Sequence, residues 1–197
     1  MIRLAISEDH AIVRSGLRQM FALVGDLDVV AEAVNGAEVI ALCERQDFDV
    51  LLLDLNMPGL SGNDLIARVR AKRPTLPILI LSMHNSAQIG MAAVKAGANG
   101  YVTKDSEPAI LIEAIRKVAA GGRYIAPDMA QAIALYSSSA TKGYLHESLS
   151  DREMSVFLEL VAGRSVNEIA DKFHISNKTV STHKARMMDK LGAGSTA

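Results

Sequence analysis

The sequence predicts an α/β protein: a doubly wound, five-stranded parallel sheet followed by a small all-α helix-turn-helix domain. Three observations predict it. Short, wholly apolar runs such as Val50-Leu51-Leu52-Leu53 lack polar alternation, the pattern of strands buried on both faces of a parallel sheet. These runs alternate with segments whose apolar residues recur at three- and four-residue spacing, the period of crossover helices. From Leu149 onward the pattern is wholly helical.

Taken in order, residues 2–6 form a short apolar strand that ends in Ser7-Glu8-Asp9. A helix follows, with Ile12, Val13, Leu17, Met20 and Phe21 at helical spacing. Residues 27–34 read as a second strand and 37–45 as a second helix. The central strand, 50–54, delivers Asp54 where its apolar run stops, and the breakers Asn56-Met57-Pro58-Gly59 follow. A helix through Leu65, Ile66 and Val69 stops before Pro74. Residues 77–82 are another continuous apolar strand, ending on Ser82. Helix 87–96 stops at Gly97, a C-terminal glycine signal. Gly100-Tyr101-Val102-Thr103 is a fifth strand, ended by Lys104, and helix 108–120 closes on Gly121-Gly122.

Residues 1–121 thus read as one domain, and 122–147 as a linker. Within the linker, 128–136 has helical character, and 137–143 is small, polar and without periodicity. Residues 148–197 form the helical domain. Ser150 and Glu153 have capping-box spacing ahead of a stripe at Val156, Phe157, Leu160 and Val161. Ser165 and Glu168 repeat the box, with Ile169, Ala170 and Phe173 inward. After a turn at His174-Ile175, Ser176 caps a third helix through Val180, Met187, Met188 and Leu191.

A chain of 197 residues accommodates these domains, and its 49% apolar and 22% charged content is ordinary for a soluble protein. The net charge of −1 gives no global attraction to nucleic acid or membrane, so any basic surface is local. The single cysteine, Cys43, lies in an apolar helical pattern and reads as a reduced core thiol. No signal-peptide pattern and no run of about 18 apolar residues occurs, so a cytoplasmic protein without membrane contact is expected.

Glu8, Asp9, Asp54, Ser82 and Lys104 all fall at the carboxyl ends of predicted strands, where open α/β sheets bind ligands. Close carboxylates repel one another unless a cation lies between them, and all-oxygen ligation suits Mg2+. Asp54 is then an oxygen nucleophile towards phosphorus, with Ser82 and Lys104 available to phosphoryl oxygens. Singly, each residue has a blander reading: a helix cap for Glu8 or Asp9, a strand end for Ser82, a solvated charge for Lys104. Their joint occurrence favours phosphoryl transfer onto Asp54.

With EDH at 8–10, DLNMPGLSG at 54–62, Ser82, GYVTKDS at 100–106, LSDRE at 149–153 and NEIADKFHISNKTVSTH at 167–183, the chain resembles a two-component response regulator of the NarL/FixJ type. Such proteins join a receiver to a LuxR-type DNA-binding domain. The resemblance spans almost the whole chain. It implies Asp54 as phosphoacceptor, Asp9 as a direct Mg2+ ligand, Glu8 acting through water, and the backbone carbonyl of Asn56 as a further ligand. Ser82 and Tyr101 match the switch pair, and Lys104 the phosphate-binding lysine. Asp105 follows that lysine where many receivers have proline, which leaves the isomer of the intervening bond open. Asn56 and His84 match positions that tune dephosphorylation. His10 reads as structural.

At the other end, Lys178, Lys184, Arg186 and Lys190 against Asp189 make a local basic helix. The resemblance implies that Ser181, Thr182 and Ala185 meet base edges, with Lys178, Thr179, His183 and Lys184 nearer the phosphates and Arg186 counted among the DNA-binding residues. It also implies a fourth helix, of which this sequence contains only the first residues. The function implied is a transcription factor: a sensor histidine kinase phosphorylates Asp54, and the activated homodimer binds double-stranded DNA. A turnover enzyme is disfavoured, because related aspartyl phosphatases need an acid two residues after the nucleophile, where this chain has Asn56. The alternative is a phosphate-independent receiver acting as an interaction module.

Overall fold

The apolar runs become strands β1 (Ile2–Ser7), β2 (Leu27–Ala33), β3 (Val50–Asp54), β4 (Ile78–Ser82) and β5 (Gly100–Thr103). Helices α1 (Ala11–Ala22), α2 (Gly36–Arg45), α3 (Gly62–Lys72), α4 (Ala87–Ala96) and α5 (Pro108–Ala119) alternate with them. The structure is a computed structural model that describes residues 1–83, 85–126, 129–131, 149–173 and 175–191.

The expected five strands are joined by a sixth, β6 (Tyr124–Ile125), and the all-parallel sheet has the order β2-β1-β3-β4-β5-β6. Gly100 pairs with Tyr124 and Tyr101 with Ile125. Two residues are too few to show periodicity in the sequence. The chain divides into two compact units, residues 1–137 and 138–197.

Every residue of β3 and β4 is buried, as their unbroken apolar runs require. Leu4, Ile6, Val50, Leu52, Leu79, Leu81 and Val102 pack with Phe21 of α1 and with Leu111, Ile115 and Val118 of α5. The alternate residues Ala5, Leu51, Leu53, Ile78 and Ile80 are equally buried, as are Val39, Leu65, Ile66, Val69 and Ile89 of α2, α3 and α4. At the amino edge of the sheet, the Arg70 guanidinium donates to the carbonyls of Pro74 and Leu76 at 2.8 Å and of Gly97 at 2.6 Å. One side chain thereby ties α3 to the entry of β4 and to the left-handed C-cap of α4 at Gly97.

Beyond β6, residues 129–131 are helical. Met129 is buried, and its Sδ lies only 3.2 Å from where a Cβ on Gly90 of α4 would stand. The rest of the expected helix at 128–136, the linker at 137–143, His84, His174 and residues 192–197 lie outside the described residues.

The second unit contains α6 (Asp151–Val161), α7 (Val166–Lys172) and α8 (Asn177–Lys190). Both capping boxes form reciprocally, Ser150 with Glu153 and Ser165 with Glu168, and the Ser176 side chain accepts from the Thr179 amide. Val156, Ile169, Ala170, Phe173 and Val180 make the core. One expectation is corrected here. Val161 is 69% exposed rather than inward, and Glu159 takes a buried place two positions earlier, 2.6 Å from Lys172 Nζ and 3.1 Å from Arg164 Nε. A polar residue entered the helix's inner face because two cations from the following turn and helix meet it there. In α1, Ile12 is likewise exposed, at 89%, despite its helical spacing with Phe21.

Candidate functional site

The strand order reverses direction between β1 and β3, and parallel sheets bind ligands in the crevice at that point. Glu8 and Asp9 follow β1 directly, and Asp54 is the last residue of β3. Glu8 and Asp54 are buried, and Asp9 is nearly so. Lys104, just past β5, reaches across to them with its side chain only 8% exposed. Its Nζ stands 2.9 Å from Asp54 Oδ2 and 2.6 Å from Glu8 Oε2. The other Asp54 oxygen, Oδ1, accepts the Asn56 amide at 3.1 Å. The loop after β3 thus turns back on the acid that precedes it.

Burial pushes the Asp54 carboxyl above the ordinary carboxylate range; Lys104 opposes this and Glu8 reinforces it. Burial works to lower the Lys104 pKa, but Asp54 and Glu8 outweigh it and the ammonium is held above its usual range. Three carboxylates therefore face one ammonium, and the pocket is short of positive charge. Glu8 Oε2 and Asp9 Oδ1 are buried oxygens that receive no aligned hydrogen bond. One ligand atom from each of Glu8, Asp9, His10 and Asp54 lies within 4.8 Å of the others, so this acidic cluster could hold a metal ion. Hard oxygen donors with a charge deficit fit Mg2+.

Ser82 is fully buried at the end of β4, one residue beyond Leu81, the register partner of Asp54. Tyr101 is 1% exposed, its ring inside the fold and its backbone in register with Ile80 on one side and Ile125 on the other. Asn56 is half-buried. Among the described residues no peptide bond is cis, the Lys104–Asp105 bond included. His10 was not legible as part of the site. It occupies the N-cap of α1 without a side-chain cap, and its Nδ1 instead lies 2.9 Å from Glu8 Oε1 and 2.8 Å from Asp9 Oδ1. The signal that could have found it is its place directly after the two acids.

In α8, Val180 and Met187 are buried, while Lys178, Thr179, Ser181, Thr182, Ala185 and Arg186 are exposed. The Thr182 hydroxyl donates to the Lys178 carbonyl at 2.9 Å, and the Thr179 hydroxyl is 2.8 Å from that of Ser176. His183 and Lys184 are half-buried, because their positions fall between Val180 and Met187 on the inward side. Burial lowers the His183 pKa, Arg152 lowers it further, Glu153 opposes and Arg186 adds to the lowering. Arg152 itself stacks over the Phe173 ring at 4.5 Å and donates to the Phe173 carbonyl, which ties α6 to the end of α7. Lys190 is not part of the open basic face: its Nζ is 2.6 Å from the buried Glu153.

Residues 4–116 match the response regulator receiver domain family, and residues 147–197 match the luxR family of bacterial regulatory proteins. The response regulator UvrY of Escherichia coli is 34% identical, over 97% of this chain and 88% of its own length. The nitrate/nitrite response regulator protein NarP of Escherichia coli is 38% identical, over 96% of this chain and 88% of its own. Among solved structures, RcsB from Salmonella enterica serovar Typhimurium, bound to a promoter in the presence of the phosphomimetic BeF3-, superposes with a TM-score of 0.65. It is 29% identical and covers 98% of this chain and 93% of its own.

Proposed function

This chain belongs to the response regulators that join a receiver domain to a LuxR-family regulatory domain, and from that premise we propose that a sensor histidine kinase phosphorylates Asp54 to control binding of a homodimer to double-stranded DNA. The single observation that carries the reading is Asp54 itself, a buried strand-end acid held on one oxygen by the Asn56 amide and on the other by Lys104. In the transfer an Asp54 oxygen bonds to phosphorus as the bond from phosphorus to the donor imidazole nitrogen breaks. Lys104, already within reach of that carboxylate, neutralises an oxygen of the incoming group.

Glu8, Asp9, Asp54 and the Asn56 carbonyl would hold Mg2+, which when bound offsets the carboxylate charge and that of the phosphoryl oxygens. Ser82 donates its hydroxyl to the acyl phosphate, and Tyr101 follows it as the conformational reporter. Because Tyr101 shares a ladder with Ile125, a shift in β5 is felt at the segment that leaves the sheet. Phosphorylation then changes the balance between two pre-existing conformations. In the second unit, the exposed Ser181, Thr182 and Ala185 face base edges. Lys178, Thr179, His183, Lys184 and Arg186 serve the phosphates, and RcsB bound to a promoter supports this use of the fold. Nothing in this scheme needs turnover of a substrate. Among the described residues no helix is long and apolar enough to cross a membrane, and we assign a cytoplasmic site of action.

The test is the intact mass of the protein with Mg2+ before and after acetyl phosphate, alongside gel filtration with beryllofluoride. One phosphoryl adduct, absent from Asp54→Asn and accompanied by dimer formation, is expected. No adduct and no beryllofluoride effect would leave a phosphate-independent module.

A further inference from the structure

We propose that His10 is a nitrogen ligand of the acid pocket when the pocket holds a later first-row divalent ion such as Co2+, and that it tilts the pocket's choice of ion away from Mg2+. The inference rests on the metal-assisted reading of the pocket and deepens it, by naming a residue that discriminates among the ions.

The argument starts from a misplaced residue. Helix N-caps favour Ser, Thr, Asp or Asn, whose short side chains accept from the first free amides. His10 holds the N-cap of α1 with an extended backbone (φ −77°, ψ 111°) and caps nothing with its side chain. The ring is turned instead towards the acids, with Nδ1 at 2.9 Å from Glu8 Oε1 and 2.8 Å from Asp9 Oδ1. The His10 amide also donates to Glu8 Oε1 at 3.1 Å, which fixes the backbone that presents the ring.

Carboxylate oxygens only accept, so Nδ1 carries a proton in these contacts, and an ion would take that proton's place and leave Nε2–H on the ring. With metal–ligand distances of about 2.1 Å, neighbouring octahedral ligands lie about 3.0 Å apart and opposed ones about 4.2 Å. The Nδ1–oxygen contacts already match the shorter spacing. The four ligand atoms of Glu8, Asp9, His10 and Asp54 span at most 4.8 Å, so the set has only to contract by roughly half an ångström around an ion. Glu8 and Asp54 are buried, while the His10 side chain is 38% exposed and lines the water side of the cluster. An ion entering from solvent meets the imidazole beside the carboxylates. Carboxylates alone suit Mg2+, whereas an added imidazole favours the later first-row ions.

The experiment titrates the full chain and His10→Ala with Mg2+ and with Co2+ by calorimetry, and records proton NMR of the Co2+-loaded forms. The expected result is a hyperfine-shifted, exchangeable imidazole N–H resonance in the unsubstituted protein that His10→Ala lacks. Co2+ affinity should fall about tenfold or more in that variant, a loss of the size metal-site substitutions cause, with Mg2+ affinity changed by less than about twofold. Binding of both ions with no shifted imidazole resonance would overturn the role of His10 alone. An equal loss of both ions in His10→Ala would also overturn it, since the residue would then act only on the carboxylates. Binding of neither ion by the unsubstituted protein would overturn the metal-assisted reading itself.

Discussion

The ammonium of Lys104 stands nearer to Glu8, at 2.6 Å, than to Asp54, at 2.9 Å. The lysine is shared, and its removal strips the counter-charge from two buried carboxylates at once. Lys104→Met should therefore destabilise the metal-free protein by about 3 kcal/mol. Saturating Mg2+ should recover much of that loss, so the rise in Tm from chelator to Mg2+ should be larger in the variant than in the unsubstituted chain. Equal rises would mean that the lysine and the ion do not share the same carboxylates.

Asp54 responds to pH in the opposite sense to a surface acid. Its folded-state pKa is raised by burial above the unfolded value, so the fold gains from its protonation. That contribution is fully present below the unfolded pKa of about 3.9 and is lost as pH rises through the raised folded value. At neutral pH without metal, Asp54→Asn should stabilise the receiver unit by on the order of 1 kcal/mol, a few degrees in Tm. The difference between the two proteins should shrink as the pH is lowered towards 4, as unfolding curves at a series of pH values would record.

Glu153 has the contrary sign. Burial alone would raise its pKa, but Lys190 and the Ser150 backbone and hydroxyl outweigh that and hold it below the usual range. Its contribution is present above the unfolded pKa of about 4.3 and is lost as pH falls through the depressed folded value. Glu153→Gln should cost the helical unit about 1–2 kcal/mol at neutral pH, since its amide oxygen can still cap the Ser150 amide but the charge that accepts from Lys190 is lost. Denaturant unfolding of that unit should show the loss at pH 7 and a smaller one in acid.

Gly36 is held by space rather than by its backbone angles. A Cβ there would lie 1.9 Å from the Leu60 carbonyl oxygen and 2.8 Å from its carbon, both backbone atoms. Gly36→Ala should displace the loop between β3 and α3 and cost about 2–3 kcal/mol. Because that loop carries Asn56, the rate at which acetyl phosphate labels Asp54 should fall as well.

Two lysines on α8 should behave differently on DNA. Lys178 is exposed on the face opposite the core, whereas Lys190 is bonded to Glu153. Lys178→Ala should weaken binding to a random-sequence duplex and lower the salt slope by about one. Lys190→Ala should leave that slope nearly unchanged and lower the Tm of the helical unit instead.

Much of this architecture could be read from residue order. Val50–Leu53 and Ile78–Leu81 announce buried strands, and the polar residue that ends each one is carried to the same edge by the parallel topology. That logic places Glu8, Asp9, Asp54, Ser82 and Lys104 together without any measurement. It says nothing of His10, whose position depends on how the first turn of α1 is entered, nor of β6, which is too short to have a period. Burial of charge was also illegible: Glu159 is inside and Val161 outside because Lys172 and Arg164 arrive from the next elements. Spacing assigns residues to a face, but the partners that make an acid tolerable there come from elsewhere in the chain.

The two-residue strand β6 has a bearing on how the protein can be dissected. By pairing with Gly100 and Tyr101 it covers the outer margin of β5. A fragment ended at residue 121 would bare that margin, and unpaired amides and carbonyls along a flat strand are a template for another chain. Such a fragment should associate more readily than the full receiver unit, as gel filtration over a range of concentrations would show, and that association would owe nothing to Asp54. A fragment carried through Ile125, and on to Met129 in its seat against Gly90, keeps the sheet closed and its monomer meaningful.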